Sequence, residues 1–184
     1  MVNKQQNTRN KEDGENSGIT ERTVRINRVS KVIKGGRHLS FSAVVVVGDG
    51  EGRVGIGMGK ADAVPDAIRK GSINAQKNMV EVTIKNDTVP HEILAKFGGS
   101  VVMLKPAPQG TGVIAGDSVR AVIELAGIKN IVTKVRRSSN PTNVVKATLK
   151  GLQAMKDPDI EVAKRREFAQ RIAFEDQNAQ SGGI

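Results

Sequence analysis

The sequence predicts an α+β protein of two small domains that meet near residue 88. Three observations carry this. Between Thr23 and Gly59, apolar and polar residues alternate and glycine-rich turns interrupt them, which is a strand pattern. After Asp62 the apolar spacing lengthens to that of a helix. From Val89 a second succession begins: strand, glycine turn, strand, helix, strand, helix. A chain of 184 residues and 19.6 kDa has room for this arrangement and little more.

Residues 1–21 are polar, with no apolar stripe, and are expected to be a disordered tail. Val24 and Ile26 share one strand face, whereas Val29 and Ile33 fall on the other, so a bulge or break is expected near Asn27–Arg28. Gly35-Gly36 reads as a turn. Phe41 to Val47 is a strand, turned by Gly48-Asp49-Gly50-Glu51-Gly52 into a return strand from Arg53 to Gly59. In that return strand Val54, Ile56 and Met58 point one way. Gly55, Gly57 and Gly59 point the other, leaving bare backbone on that face. A helix follows, with Asp62 at or near its cap and Pro65 in its first turn. Its expected buried stripe is Val64, Ile68, Gly71, Ala75 and Met79. Val80 to Lys85 is a candidate for a further strand.

In the second unit, strands near 90–97 and 100–106 flank Gly98-Gly99, and the loop Pro106 to Gly112 follows. Val119, Val122, Ile123 and Ala126 mark a helix stopped by Gly127. Ile128 to Val135 alternates as a strand. Asn140-Pro141 opens a helix that buries Val145, Leu149 and Leu152. Asp157-Pro158 opens another, with acids early and Lys164, Arg165 and Arg166 later, as the helix dipole favours. The expected domains are thus 22–88 and 89–170, with tails at 1–21 and 171–184.

Charge narrows the function. The chain has 29 Lys+Arg against 19 Asp+Glu, a net +10, and a pI near 10.1. Arg22 to Gly48 holds six cations and no acid, and Leu125 to Lys156 holds seven and no acid. Acid-free basic windows of this length point to a polyanion. The absence of Cys excludes disulfides and thiolate chemistry, and the absence of Trp and Tyr argues against aromatic base-stacking platforms. The longest apolar run, Ala43 to Val47, is too short for a transmembrane helix, and residues 1–21 lack a signal-peptide core. A cytoplasmic protein is expected, with no membrane partner.

Gly50-Glu51-Gly52-Arg53-Val54-Gly55 matches G-x-G-x-x-G, but a dinucleotide site needs that motif between a strand and a helix, and here more strand follows. Gly59-Lys60 lacks the first glycine and the Ser/Thr of a phosphate loop. The two histidines, His38 and His91, have no Ser–acid companion, and the acids lack metal-ligand spacing. No catalytic residue, metal, cofactor or small-molecule substrate is expected. By contrast, Arg22, Arg25, Arg28, Lys31, Lys34 and Arg37 recur every third residue, with Gly35 and Gly36 permitting close backbone approach. That suits an arm tracking phosphates, although a charged edge strand would look similar. Lys134, Arg136 and Arg137 precede a helix start at Asn140 to Thr142, where amides and hydroxyls suit a phosphate. Asn140 can serve there equally as an N-cap. Gly110, Gly112 and Gly116 offer a weaker site of the same kind.

Three stretches then resemble one family. They are Arg28 to Arg37 with Phe41 and Ala43; Val46 to Gly50 with Gly52 to Ala61; and Gly110 to Gly116 with Arg120-Ala121-Val122, followed by Ser139 to Val145. In this order they resemble the family of the fifth protein of the bacterial small ribosomal subunit, over roughly residues 22–165. The resemblance implies an N-terminal domain like a double-stranded-RNA-binding domain, a three-stranded antiparallel sheet plus helix without the usual first helix. It also implies a C-terminal α/β sandwich domain of a kind seen in some kinases and translation factors, which is no sign of catalysis. It implies a structural role at the head–body junction, with small-subunit rRNA, mRNA at the entry path, and the fourth and eighth small-subunit proteins as partners. Effects on translational accuracy follow from that place. The loop matching Val29 to Arg37 would reach rRNA near the spectinomycin site. The matched stretches add Arg53 and Lys60 to the expected RNA-binding residues. A free-standing double-stranded-RNA-binding regulator is the main alternative. A nucleotide-using enzyme is a weaker one, since Gly110 to Gly116 supplies neither a Lys nor a metal carboxylate.

Overall fold

The computed structural model describes residues 18–181, with side chains as far as Ile172. In the first unit, β1 (Thr20–Ile33), β2 (Gly36–Gly48), β3 (Arg53–Ala61) and β4 (Met79–Glu81) form an antiparallel sheet in the order β1-β2-β3-β4. The sheet therefore has four strands, not three. The last is only three residues long, and one in-register bond, from the Val82 amide to the Gly52 carbonyl (2.7 Å), carries the pairing just past it to the turn before β3. β1 runs unbroken past Asn27–Arg28. Its register shift lies earlier, between Thr23 and Arg25, where Val24 is the extra residue.

Helix α1 (Val64–Lys77) lies on one face of this sheet. A Cβ added to Gly59, Gly57 or Gly55 would stand 2.0–2.2 Å from the carbonyl oxygens of Ala67, Gly71 and Ala75 respectively. Four helical residues advance about 6 Å and two strand residues nearly 7 Å. The two small-residue repeats therefore stay in step, and helix backbone meets strand backbone. This displaces the expected buried stripe. Ala67, Gly71, Ser72 and Ala75 are buried, Val64 and Ile68 only half-buried, and Met79 belongs to β4. The N-cap is Ala63, with no side-chain capping bond, and Asp62 lies one residue before it, near the helix start as expected.

The second unit is a two-layer sandwich. β5 (Ile93–Phe97), β6 (Ser100–Pro106), β7 (Val113–Ile114) and β8 (Ile131–Arg137) form a sheet in the order β5-β6-β8-β7, with β7 parallel to β8. Helices α2 (Asp117–Ala126) and α3 (Pro141–Gln153) pack on one face. Gly127 ends α2 in the left-handed region (φ 90°), as expected. Strand β8 starts three residues later than expected, after the buried Ile128. Leu149 is only partly buried, whereas Val145 and Leu152 are core.

Helix α4 (Pro158–Ser181) stands off the body, tied at its first turn by Lys85 Nζ to Asp159 Oδ2 (2.8 Å). It continues past residue 171, where a tail was expected. At the other end, Thr20 and Glu21 of the expected tail belong to β1. Residues 1–17 and 182–184 of the expected tails lie outside the described residues.

The sheet of the first unit is covered on both sides. Its second face contributes Val46, Val54 and Ile56 to a core shared with Val119, Val122 and Ile123 of α2. That explains why Ala43 to Val47 is a continuous apolar run in an antiparallel strand. The joint is close. Gly50 N donates to Leu125 O and Gly52 N to Ala126 O (3.0 Å each), so the β2–β3 turn satisfies carbonyls that α2 leaves open at its C-terminal end. The G-x-G-x-x-G match is thus a hairpin turn that caps a helix of the other unit.

Candidate nucleic-acid interface

The ladder to β3 ends at Phe41–Ala61, but β1 and β2 continue together to Ile33–Gly36. Five residue pairs therefore extend beyond the sheet, about 17 Å of two-stranded ribbon. Lys34 and Gly35 form its turn, with Gly35 at φ 91°, and Gly36 begins β2. The expected loop Val29–Arg37 is therefore a hairpin tip. Residues 30–39 are all exposed. A free two-stranded ribbon is marginal in water, so a partner surface would add to its stability.

Register assigns its side chains to faces. Arg28, Ser30 and Val32 share a face with Leu39 and Arg37. Arg25, Asn27, Val29, Lys31 and Ile33 share the other with His38, Ser40 and Ser42. The three-strand row Asn27–Ser42–Lys60 brings Lys60 to the ribbon's root. Both faces thus carry cations, and no acid occurs between Arg22 and Asp49. Among the described residues, Arg28, Lys31, Lys34, Arg37 and Lys60 make no ion pair. Arg25 Nε donates to Asn27 Oδ1 (3.2 Å), and His38 Nε2 lies 3.8 Å from Asp62.

Two expected members are occupied. Arg22, before the bulge, faces the second unit and donates to Glu124 Oε2 (2.5 Å), with Asp117 at 3.8 Å. Arg53 donates Nε to Asp49 Oδ2 (2.8 Å). Burial tends to raise the Asp49 carboxyl's pKa. The amides of Glu51 and Arg53 and the Arg53 guanidinium outweigh that and hold it below its ordinary value.

The second basic window divides. Lys134 and Arg136 alternate onto the open face of the second sheet, across from Met103 and Val101, where Lys96 and Lys105 also lie. Arg137 ends β8 at φ 63°, and its neighbour Ser138 donates its amide to Gly99 O (3.1 Å). Asn140 caps α3, accepting from Thr142 N (3.3 Å), so its side chain serves the helix. The weaker glycine site is filled by the chain itself. Asn130 Oδ1 accepts from the amides of both Gly110 and Gly112 (3.1 Å each). Asn130 and Glu124 are the determinants sequence reading missed, because their partners lie 18 to 102 residues away.

The comparisons agree with this architecture. Residues 19–83 match the family model described as ribosomal protein S5, N-terminal domain, and residues 95–166 match ribosomal protein S5, C-terminal domain. The chain is 57% identical over 157 residues to small ribosomal subunit protein uS5 of Chloroflexus aurantiacus, covering 85% of this chain and 88% of that one. It is 57% identical over 148 residues to the uS5 of Syntrophobacter fumaroxidans (80% and 89% covered). It is 55% identical over 148 residues to that of Dehalococcoides mccartyi (80% and 86% covered).

Proposed function

The chain belongs to the ribosomal protein S5 family, and from that premise we propose that it is a structural component of the small ribosomal subunit that holds rRNA through its basic ribbon. It is a ribosomal protein rather than an enzyme, and its place is the ribosome in the cytoplasm. The observation that carries the reading is the ribbon: exposed on both faces, cationic on both, and without an acid in its span. Arg25, Arg28, Lys31, Lys34, Arg37 and Lys60 are its phosphate contacts, and Gly35 and Gly36 let backbone approach RNA. Arg136 and Arg137, with Thr142 at the start of α3, form a second contact, and Lys134 flanks it. Arg22, Arg53 and Asn140 act instead as positioning residues for the joint, the turn and the helix.

The family resemblance supports the finer assignments. The ribbon reaches the head–body junction, the protein lines the mRNA entry path and affects decoding accuracy, and its neighbours are the fourth and eighth proteins. For a protein neighbour, α4 is the best-suited surface, since Ile160, Val162, Phe168 and Ile172 are exposed on a helix that touches little else among the described residues. The domains 22–88 and 89–170 work as one body on one RNA.

The test is binding of the full chain to small-subunit rRNA at several salt concentrations, with sedimentation on small subunits after a high-salt wash. If five or six phosphates are engaged, the log–log slope is about −5. A slope near zero, or loss from subunits at the wash, contradicts the proposal.

A further inference from the structure

We propose that the ribbon tip is an apolar wedge, with Val32 and Ile33 packing against ribose and base faces of unpaired nucleotides in an rRNA cleft. This rests on the rRNA reading above and adds a mode of contact that phosphate binding does not require.

Val32 is 75% exposed, more than any other large apolar residue among those described, and its neighbour Ile33 is 50% exposed. Single exposed apolar residues are common, but an adjacent pair beside a tight turn, where polar residues ordinarily sit, is not. Register places the two on opposite faces. Val32 lies across from Arg37, and Ile33 lies across from Gly36, which offers no side chain to cover it. The ribbon carries them beyond the reach of the sheet, so the described part of the chain does not bury them.

The flanking charge selects the occupant. Lys31, Lys34 and Arg37 surround the pair. A protein pocket would need an acidic rim on both sides. RNA supplies phosphates on both sides and apolar ribose and base faces between them. The deep groove of an RNA duplex is too narrow for a ribbon, which leaves unpaired segments or the shallow groove. Apolar wedges between bases are an established means of gripping nucleic acid. Both residues are β-branched and stiff at χ1, so little side-chain entropy is lost on insertion.

The experiment compares two double variants of the full chain on small-subunit rRNA across salt. Val32→Thr with Ile33→Thr keeps β-branching but makes the tip polar. Val32→Ile with Ile33→Val keeps it apolar. The first should bind roughly tenfold or more weakly. Its log–log salt slope and melting temperature should match the unaltered chain, because no phosphate contact is lost. The second should bind nearly as the unaltered chain does. Unchanged affinity of the threonine variant overturns the wedge. So does a loss accompanied by a shallower slope, which would mean the ribbon had been displaced. If the threonine variant fails only in assembled subunits while its binding to free rRNA is unchanged, the tip meets protein and the proposal is wrong. Failure of the unaltered chain to bind rRNA overturns both this inference and the function it rests on.

Discussion

Strand β2 has two halves. From Ser40 to Val47 its residues are buried or half-buried, while Gly36 to Leu39 are exposed. Both halves share one backbone conformation and one partner, β1. They differ in what lies on either side. The inner half is covered by α1 on one face and by the shared core on the other. The outer half has neither cover, and its neighbours are cations. Pairing with β1 alone therefore sets neither stability nor function in this molecule; from Phe41 on, the inner half also has β3 beside it. Cover makes the inner half the anchor, and its absence leaves the outer half free to be the proposed contact surface. Changes to the inner half and the joint should be read in melting, and changes to the outer half in binding.

Gly57→Ala should have the largest effect. Its Cβ would stand 2.0 Å from Gly71 O, a backbone atom that moves only if α1 does. The loss should reach the top of the roughly 1–3 kcal/mol range for overpacking, or exceed it, in thermal unfolding followed by circular dichroism. Survival of the melting temperature would show that α1 does not rest on β3 backbone. Gly127→Ala comes next. It combines a left-handed φ of 90° with a Cβ 2.0 Å from Gly50 O, at a cost of roughly 2–3 kcal/mol. Because it strains the joint, it should also split a single unfolding transition into two.

Asp49→Ala removes the acceptor of two amides and the Arg53 guanidinium, at a cost of about 1–3 kcal/mol. The folded state lowers the Asp49 pKa, so its contribution is present above the ordinary carboxylate value, near 4, and is lost as pH falls through the folded value. The unaltered chain should lose stability below about pH 4 more steeply than the Ala variant, as followed by melting at each pH. Equal acid limbs would mean the turn does not depend on this carboxylate. Arg22→Ala should matter least. Its pair with Glu124 is 42% and 41% exposed, so the cost should stay under about 1 kcal/mol in the same melt.

Much of this was legible in the chain. The alternation of Gly55, Gly57 and Gly59 foretold a bare strand face, and Gly127 foretold the end of α2. The basic repeat from Arg25 to Arg37 pointed to the ribbon. What could not be read was long-range pairing. Two-residue β7 exists only because β8 lies beside it. The bulge was expected at Asn27–Arg28 because alternation shows that a register changes, not which residue is extra. Arg22 looked like its basic neighbours and Arg53 came with the matched stretches, and only the approach of Glu124 and the turn around Asp49 sets them apart. Ile33 read as an ordinary strand residue, since exposure is decided by where β3 stops.

On the proposed function, the ribbon binds RNA and contributes little to folding. The most direct test neutralises Lys31, Lys34 and Arg37 together, each to Gln, and measures melting of the free chain beside rRNA binding across salt. The melting temperature should stay within a few degrees of the unaltered chain's, since exposed substitutions usually cost under about 0.5 kcal/mol each. The log–log slope should be shallower by about 2–3, one phosphate contact for each cation removed. A collapsed melting transition with an unchanged slope would show that the ribbon serves the fold and that RNA is held elsewhere.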